Sequence, residues 1–190
     1  MSEFIEVKYK VKDGYHTINN TYLGRINRIF AKNLPIIKKG IILDWGCSCG
    51  HTTYDLSRMY PNCEIIGIDL DESLIKDAKL NSCASFFVMD GFTRSFIDGS
   101  FDAVFCLNNI YYSLIHMKEE LAISRLKTIG DLVKPHGFLA ISGLFFDVND
   151  NNYIILKKRR SGLFKEIKID FQYDHDSQKR LEIIVSALTK

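Results

Sequence analysis

The sequence predicts an α/β fold: a doubly wound sheet of seven strands, mostly parallel, with a C-terminal antiparallel β-hairpin. Three observations carry this. Short apolar runs alternate with stretches of helical periodicity between residues 41 and 142, and parallel neighbours need such crossover connections. Four of those runs end in small, acidic or amide residues, which suits strand ends at a ligand-facing edge. Beyond residue 160 the alternation gives way to two β-like segments around a short polar loop.

Each element has its own local signal. Ile18, Tyr22, Leu23, Ile26, Ile29, Phe30 and Leu34 recur at helical spacing, and Pro35 stops that run. Ile41 to Leu43 is a buried strand ending in Asp44-Trp45-Gly46, and residues 51–60 suit a short helix with Thr52 or Thr53 near its start. Glu64 to Ile68 is the second strand, closed by Asp69. Residues 71–81 form a helix with acidic residues in its first turn, where the helix dipole favours them. Ser85 to Met89 is the third strand, closed by Asp90-Gly91, and Phe101 to Leu107 is the fourth, ending at Asn108-Asn109. Residues 114–133 make an amphipathic helix that Lys134-Pro135-His136-Gly137 terminates, and Phe138 to Ser142 is the fifth strand. The hairpin is assigned to residues 165–172 and 181–187, with the polar stretch 173–180 between them.

Composition supports a single globular domain. The 190 residues are 46% hydrophobic and 25% charged, with 12 glycines and only 3 prolines, which excludes a disordered or low-complexity chain. A chain of this length can bury roughly 70% of its unfolded surface and needs no metal or disulfide to fold. No apolar run approaches the ~20 residues that span a bilayer. The first residues lack the apolar core of a signal peptide, so the expected location is the cytoplasm, with no membrane partner. The net charge of +2 conceals +5 over residues 1–40, −7 over 41–150 and +4 over 151–190. If the basic ends meet, they offer a patch for RNA; otherwise they are solvated faces. Cys47, Cys49, Cys63, Cys83 and Cys106 are odd in number and mostly isolated, so neither a disulfide framework nor a metal site is expected.

The chemistry is expected beyond the carboxyl ends of the strands. Gly46 and Gly50 bracket a turn running into a helix, where the backbone can approach a ligand closely. Asp69, closing the next strand, can take both hydroxyls of a ribose. The segment reads Gly-Cys-Ser-Cys-Gly, not the G-x-G-x-x-G of a pyrophosphate cradle, and Asp44 just before it would repel a phosphate. A nucleoside with a cationic tail fits better than a dinucleotide.

These residues carry a resemblance. Ile41 to Gly50 resembles the first motif of class I S-adenosylmethionine-dependent methyltransferases, hydrophobics followed by D-x-G-x-G-x-G. Ile66 to Asp71 resembles their second motif and Phe87 to Gly91 their third. Ser100 to Phe105 is similar to the "dgsFDvV" fourth, and Leu132 to Phe138 to the "LKPGG" that precedes the fifth strand. Five motifs in order, from about residue 40 onward, make the resemblance specific. Two positions depart from it: Ser48 replaces the middle glycine, and His136 replaces a glycine of the Pro-Gly-Gly turn.

The resemblance implies a Rossmann-like domain over residues 41–190, with 1–40 as an N-terminal helical lid or substrate segment of the same domain. It implies S-adenosyl-L-methionine as cofactor, S-adenosyl-L-homocysteine as product, and no metal. Gly46, Cys47, Ser48 and Gly50 would line the methionine part, with Asp44 nearby through water or the ammonium. Asp69 and Leu70 would serve the ribose, Asp90 the adenine amino group beside Gly91, and Asn108 would sit near the sulfonium. Asp90 reads alternatively as a helix cap. Asn109, Tyr111, Tyr112 and His116 come after the fourth strand, where the family places acceptor contacts; Tyr15 and His16 could face the cofactor from a lid. His116 is the candidate base, needed only if the nucleophile arrives protonated, and reads alternatively as a surface histidine.

A small-molecule acceptor is the first expectation, since the chain carries no large insert. RNA or a ribosomal protein is the alternative, using Lys157-Lys158-Arg159-Arg160, which could equally form the polar face of a helix after the fifth strand. A sensor or partner subunit that binds the cofactor without catalysis is the alternative of another class.

Overall fold

The computed structural model describes residues 34–81, 84–93, 96–107, 110, 117–142, 153–170 and 175–189. The helical repeat expected over residues 17–34 lies outside them, apart from Leu34. The element order is β1 (Gly40–Trp45), α1 (His51–Met59), β2 (Cys63–Asp69), α2 (Glu72–Asn81), β3 (Ser85–Val88), β4 (Phe101–Leu107), α3 (Glu119–Asp131), β5 (Val133–Ser142), β6 (Tyr153–Lys158), β7 (Phe164–Asp170) and α4 (His175–Thr189). The seven strands form one sheet in the order β3-β2-β1-β4-β5-β6-β7. β1 to β5 pair in parallel, and β6 and β7 add antiparallel. The fold is the Rossmann-like, mostly parallel sheet that the sequence predicts. Among the described residues no helix is long and apolar enough to cross a membrane.

Strand alternation divides the core between the two faces. Leu43, Ile68, Val104, Cys106, Leu139, Ile141, Ile154 and Leu156 point to one face, where Ala122, Leu126 and Ile129 of α3 and Val185 and Leu188 of α4 cover them. Ile42, Ile65, Ala103, Phe105, Phe138, Ala140, Tyr153 and Ile155 point to the other, against Leu56 and Tyr60 at α1. A third cluster joins Ile75 and Ala78 of α2 to Phe86 and Cys47.

The C-terminal region corrects one expectation. Residues 181–187 are not a strand but belong to helix α4, and the second hairpin strand precedes β7 as Tyr153–Lys158. The Leu-Glu-Ile-Ile-Val stretch has β propensity, yet Val185 and Leu188, three residues apart, bury one helical stripe beside α3. Packing overrides the local preference. The basic run therefore ends β6 and enters the β6–β7 turn rather than forming a helical face. There Gly162 adopts φ 90° and Arg159 N–H donates to the Leu163 carbonyl at 2.6 Å. Lys158 Nζ donates to the Gly130 carbonyl at 2.9 Å, which satisfies an open acceptor at the end of α3. Burial lowers the Lys158 pKa.

At the amino ends of the parallel strands, Asp102 Oδ2 accepts Ile41 N–H and Lys134 Nζ, both at 2.8 Å. It thus links β4 to β1 and β5. Opposite Asp102 the β4–β5 register jumps from Phe101↔Val133 to Ala103↔Phe138, and the intervening Lys134 to Gly137 bulge outward. The helix ends at Asp131, so this stretch opens β5 rather than closing α3. His136 sits in that bulge at φ 70°, a left-handed backbone that glycine adopts at less cost.

Two outcomes test these links. Asp102→Ala is expected to cost about 1–3 kcal/mol in urea unfolding, because it strands the Ile41 N–H, whereas Lys134→Ala removes a partly exposed pair and costs about 1 kcal/mol or less. His136→Gly is expected to be neutral or stabilising by up to about 1 kcal/mol, with His136→Val destabilising; the reverse order would remove the left-handed strain argument.

Candidate functional site

Strand order reverses between β1 and β4, and the carboxyl ends of β1, β2 and β3 meet there. A cleft of ≈200 Å³ opens at this edge. Its geometry starts with the turn after β1. Gly46 and Cys47 donate their N–H groups to the Ile68 carbonyl at 2.8 and 2.9 Å, which folds the turn over the end of β2. Gly46, Ser48 and Gly50 take φ 72°, 51° and 82°. Ser48 therefore holds a left-handed conformation that glycine adopts at less cost. A Cβ at Gly50 would lie 2.9 Å from the Ala78 Cβ, so this close approach requires glycine.

Asp69 anchors the turn. Its Oδ2 accepts Ser48 N–H at 2.9 Å and its Oδ1 accepts Asp71 N–H at 3.0 Å. Each carboxylate oxygen keeps acceptor capacity for a ligand hydroxyl. Asp90 Oδ1 accepts Phe92 N–H at 3.0 Å, and Thr93 Oγ1 donates to the Asp90 carbonyl at 2.7 Å. This is an Asx turn in a loop, not a helix cap. Gly91 lies flat against the Trp45 ring, where any Cβ would collide with the indole. Trp45 and Phe92 pack edge to face at 5.1 Å, and the Arg125 guanidinium sits 4.5 Å above the Phe92 ring.

Of the residues singled out in the sequence, Gly46, Asp69, Leu70, Asp90 and Gly91 line the cleft together. Asp44, Cys47, Ser48 and Gly50 build the turn behind it. Cys47 packs into the third core cluster, and Asp44, 1% exposed, accepts Thr53 Oγ1 at 2.6 Å. Asn108, Asn109, Tyr111, Tyr112, His116, Tyr15 and His16 lie outside the described residues. Sequence reasoning missed Trp45, Ile68, Met89, Phe92, Ile110 and Arg125, which complete the lining. Trp45, Ile68 and Met89 lie inside the motifs and Phe92 directly follows one, so adjacency could have found them. Arg125 comes from α3 and has no local signal. Among the described residues no three His, Cys, Asp or Glu side chains are grouped to hold a metal.

Burial pushes the Asp44 carboxyl up to about 7; the Thr53 hydroxyl opposes this and the Asp69 charge adds to it. The folded state therefore holds the Asp44 proton more tightly than the unfolded chain does. Its contribution to stability is full below about pH 4, declines as pH rises to about 7, and then levels off. In thermal melts, wild-type stability relative to Asp44→Asn is expected to fall across that window and flatten above it. A constant difference from pH 4 to 8 would refute the assignment.

Comparison with known proteins agrees with the fold. The profile of a family described as "Methyltransferase domain" matches residues 42–137. An uncharacterized Rickettsia prowazekii protein, RP028, is 28% identical over 130 residues, which cover 64% of this chain and 49% of RP028. The chain thus aligns with about half the length of that relative. Among solved structures, Pyrococcus horikoshii PH0226 shares the fold at TM-score 0.57 and 17% identity, covering 86% of this chain and 81% of the other. A SAM-dependent methyltransferase from Methanosarcina mazei does so at TM-score 0.54 and 19% identity, covering 83% and 82%.

Proposed function

This chain belongs to the methyltransferase-domain family, with the class I S-adenosylmethionine-dependent fold, and from that premise we propose that it transfers a methyl group from S-adenosylmethionine to a small-molecule acceptor. One observation carries the reading: the Asp69 and Asp90 carboxylates face one cleft, beside a left-handed turn pinned over the end of β2. That donor and acceptor set fits the cofactor. Asp69 retains acceptor sites for a ribose diol, and Asp90 Oδ2 remains for an exocyclic amine. Trp45, Ile68, Met89, Phe92 and Ile110 supply apolar walls for a nucleoside.

When bound, S-adenosylmethionine supplies a methyl group on a sulfonium, ready for in-line displacement. The chain's own part is alignment. Asp69 fixes the ribose, Asp90 fixes the base, and the Gly46–Gly50 turn sets the depth of the tail, with Asp44 behind it. Positioning of this kind can supply effective molarities of ~10⁵ M or more without a catalytic base. We assign residues 1–40 the role of lid and residues 41–190 that of cofactor domain, with Asn108 near the sulfonium and Asn109, Tyr111, Tyr112 and His116 on the acceptor side.

Register favours a small acceptor over RNA held by the basic run. Ser142, at the cleft end of β5, pairs with Tyr153, while Phe138 pairs with Lys157. Lys157 to Arg160 therefore lie at the opposite end of the sheet from the cleft, and Lys158 is engaged with α3.

Calorimetric titration with S-adenosylhomocysteine tests the reading. Micromolar binding, weakened at least tenfold by Asp69→Ala and not reproduced with NAD, is the expected result. A folded wild-type protein that fails to bind would overturn it.

A further inference from the structure

The Arg125 side chain is half-buried and faces the cleft from α3, yet among the described residues it has no carboxylate or carbonyl partner. It rests on the Phe92 ring, 4.5 Å below the guanidinium. Such a contact holds the group in place while leaving its N–H donors unspent. Asp90 lines the same cleft two residues before Phe92; among the described residues its Oδ2 has no partner, and it forms no ion pair with Arg125. A donor and an acceptor of opposite charge thus flank one space without meeting. A ligand that offers an N–H beside an acceptor nitrogen would satisfy both.

The edge of adenine has that pattern: an amino group next to unprotonated ring nitrogens. We propose that Arg125 is a specificity determinant of the cleft, donating a charge-assisted hydrogen bond to an acceptor ring nitrogen of adenine while Asp90 accepts from the amino group. This rests on the cofactor reading above and extends it to a residue outside the five motifs. A hypoxanthine base inverts one half of the pattern, setting a carbonyl oxygen against the Asp90 carboxylate, so the pair rejects the deaminated nucleoside. Sites built around a specific hydrogen bond discriminate strongly, because the wrong ligand leaves a desolvated group unpaired.

Trp45 is the chain's single tryptophan and lines the cleft, so its emission reports occupancy without any need for turnover. The experiment titrates wild type, Arg125→Met and Arg125→Lys with S-adenosylhomocysteine, its inosine counterpart, and its 1-deaza, 3-deaza and 7-deaza analogues. Arg125→Met is expected to weaken the parent ligand about tenfold or more, with Arg125→Lys in between. One deaza analogue should lose a similar factor in wild type and nothing further in Arg125→Met. That non-additivity identifies the nitrogen contacted. Wild type should also bind the inosine counterpart at least tenfold more weakly than the parent. Unchanged parent affinity in Arg125→Met overturns the proposal. So does an equal loss for the parent and every deaza analogue, which would mean that Arg125 only props Phe92. If Arg125→Met fails to fold, Arg125→Lys carries the same comparison. Absence of parent binding to wild type, or binding indifferent to Asp69→Ala, removes the cofactor reading itself.

Discussion

The hydrogen bond from Ser48 N–H to Asp69 Oδ2, 2.9 Å long, sets the geometry of the ligand-facing edge. It joins the turn after β1 to the last residue of β2, so two strands present their ends as one rim. The turn can reach Asp69 only by curling through left-handed backbone at Gly46, Ser48 and Gly50. That curl in turn brings Gly50 against Ala78 and Phe86, and Cys47 against Gly67. Missing Cβ atoms at residues 50 and 67 are what let α2 and β3 close on the turn. One backbone-to-carboxylate contact thus pins the turn after β1 to the end of β2.

Three aspartates at strand positions do different work because their surroundings differ. Asp69 is partly open and takes backbone N–H groups, so its charge is available at the rim. Asp44 is sealed beneath the turn with one hydroxyl partner, so its charged form is disfavoured. Asp102 lies at the other end of the sheet and joins β1, β4 and β5. Its place in a recognisable motif is structural, which explains why a motif residue can stand far from the cleft.

Much of the fold and rim was legible in the sequence. Alternating apolar runs placed β1 to β5 and the helices between them, because strands buried on both faces leave a strong signal. Gly46, Asp69, Leu70, Asp90 and Gly91 were found because strand ends and turns write their function locally. Legibility failed where tertiary contact decides. The Ile-Ile-Val of α4 reads as strand until its packing beside α3 is known, and the β6–β7 turn had its own signal in Ser161-Gly162. Arg125 was invisible because it reaches the cleft across space, from a helix whose sequence periodicity reports only its buried face.

The described cleft is drawn entirely from between Trp45 and Arg125, and the chain then adds β5 and the antiparallel pair β6 and β7 at the far side of the sheet. The family match, too, ends within β5 at residue 137. A ribosome making this chain has therefore emitted every described lining residue before the β6–β7 pair is synthesised. The last strands and α4 complete a hydrophobic layer without supplying a described lining residue, and through Val185, Leu188 and Lys158 they brace the helix that carries Arg125.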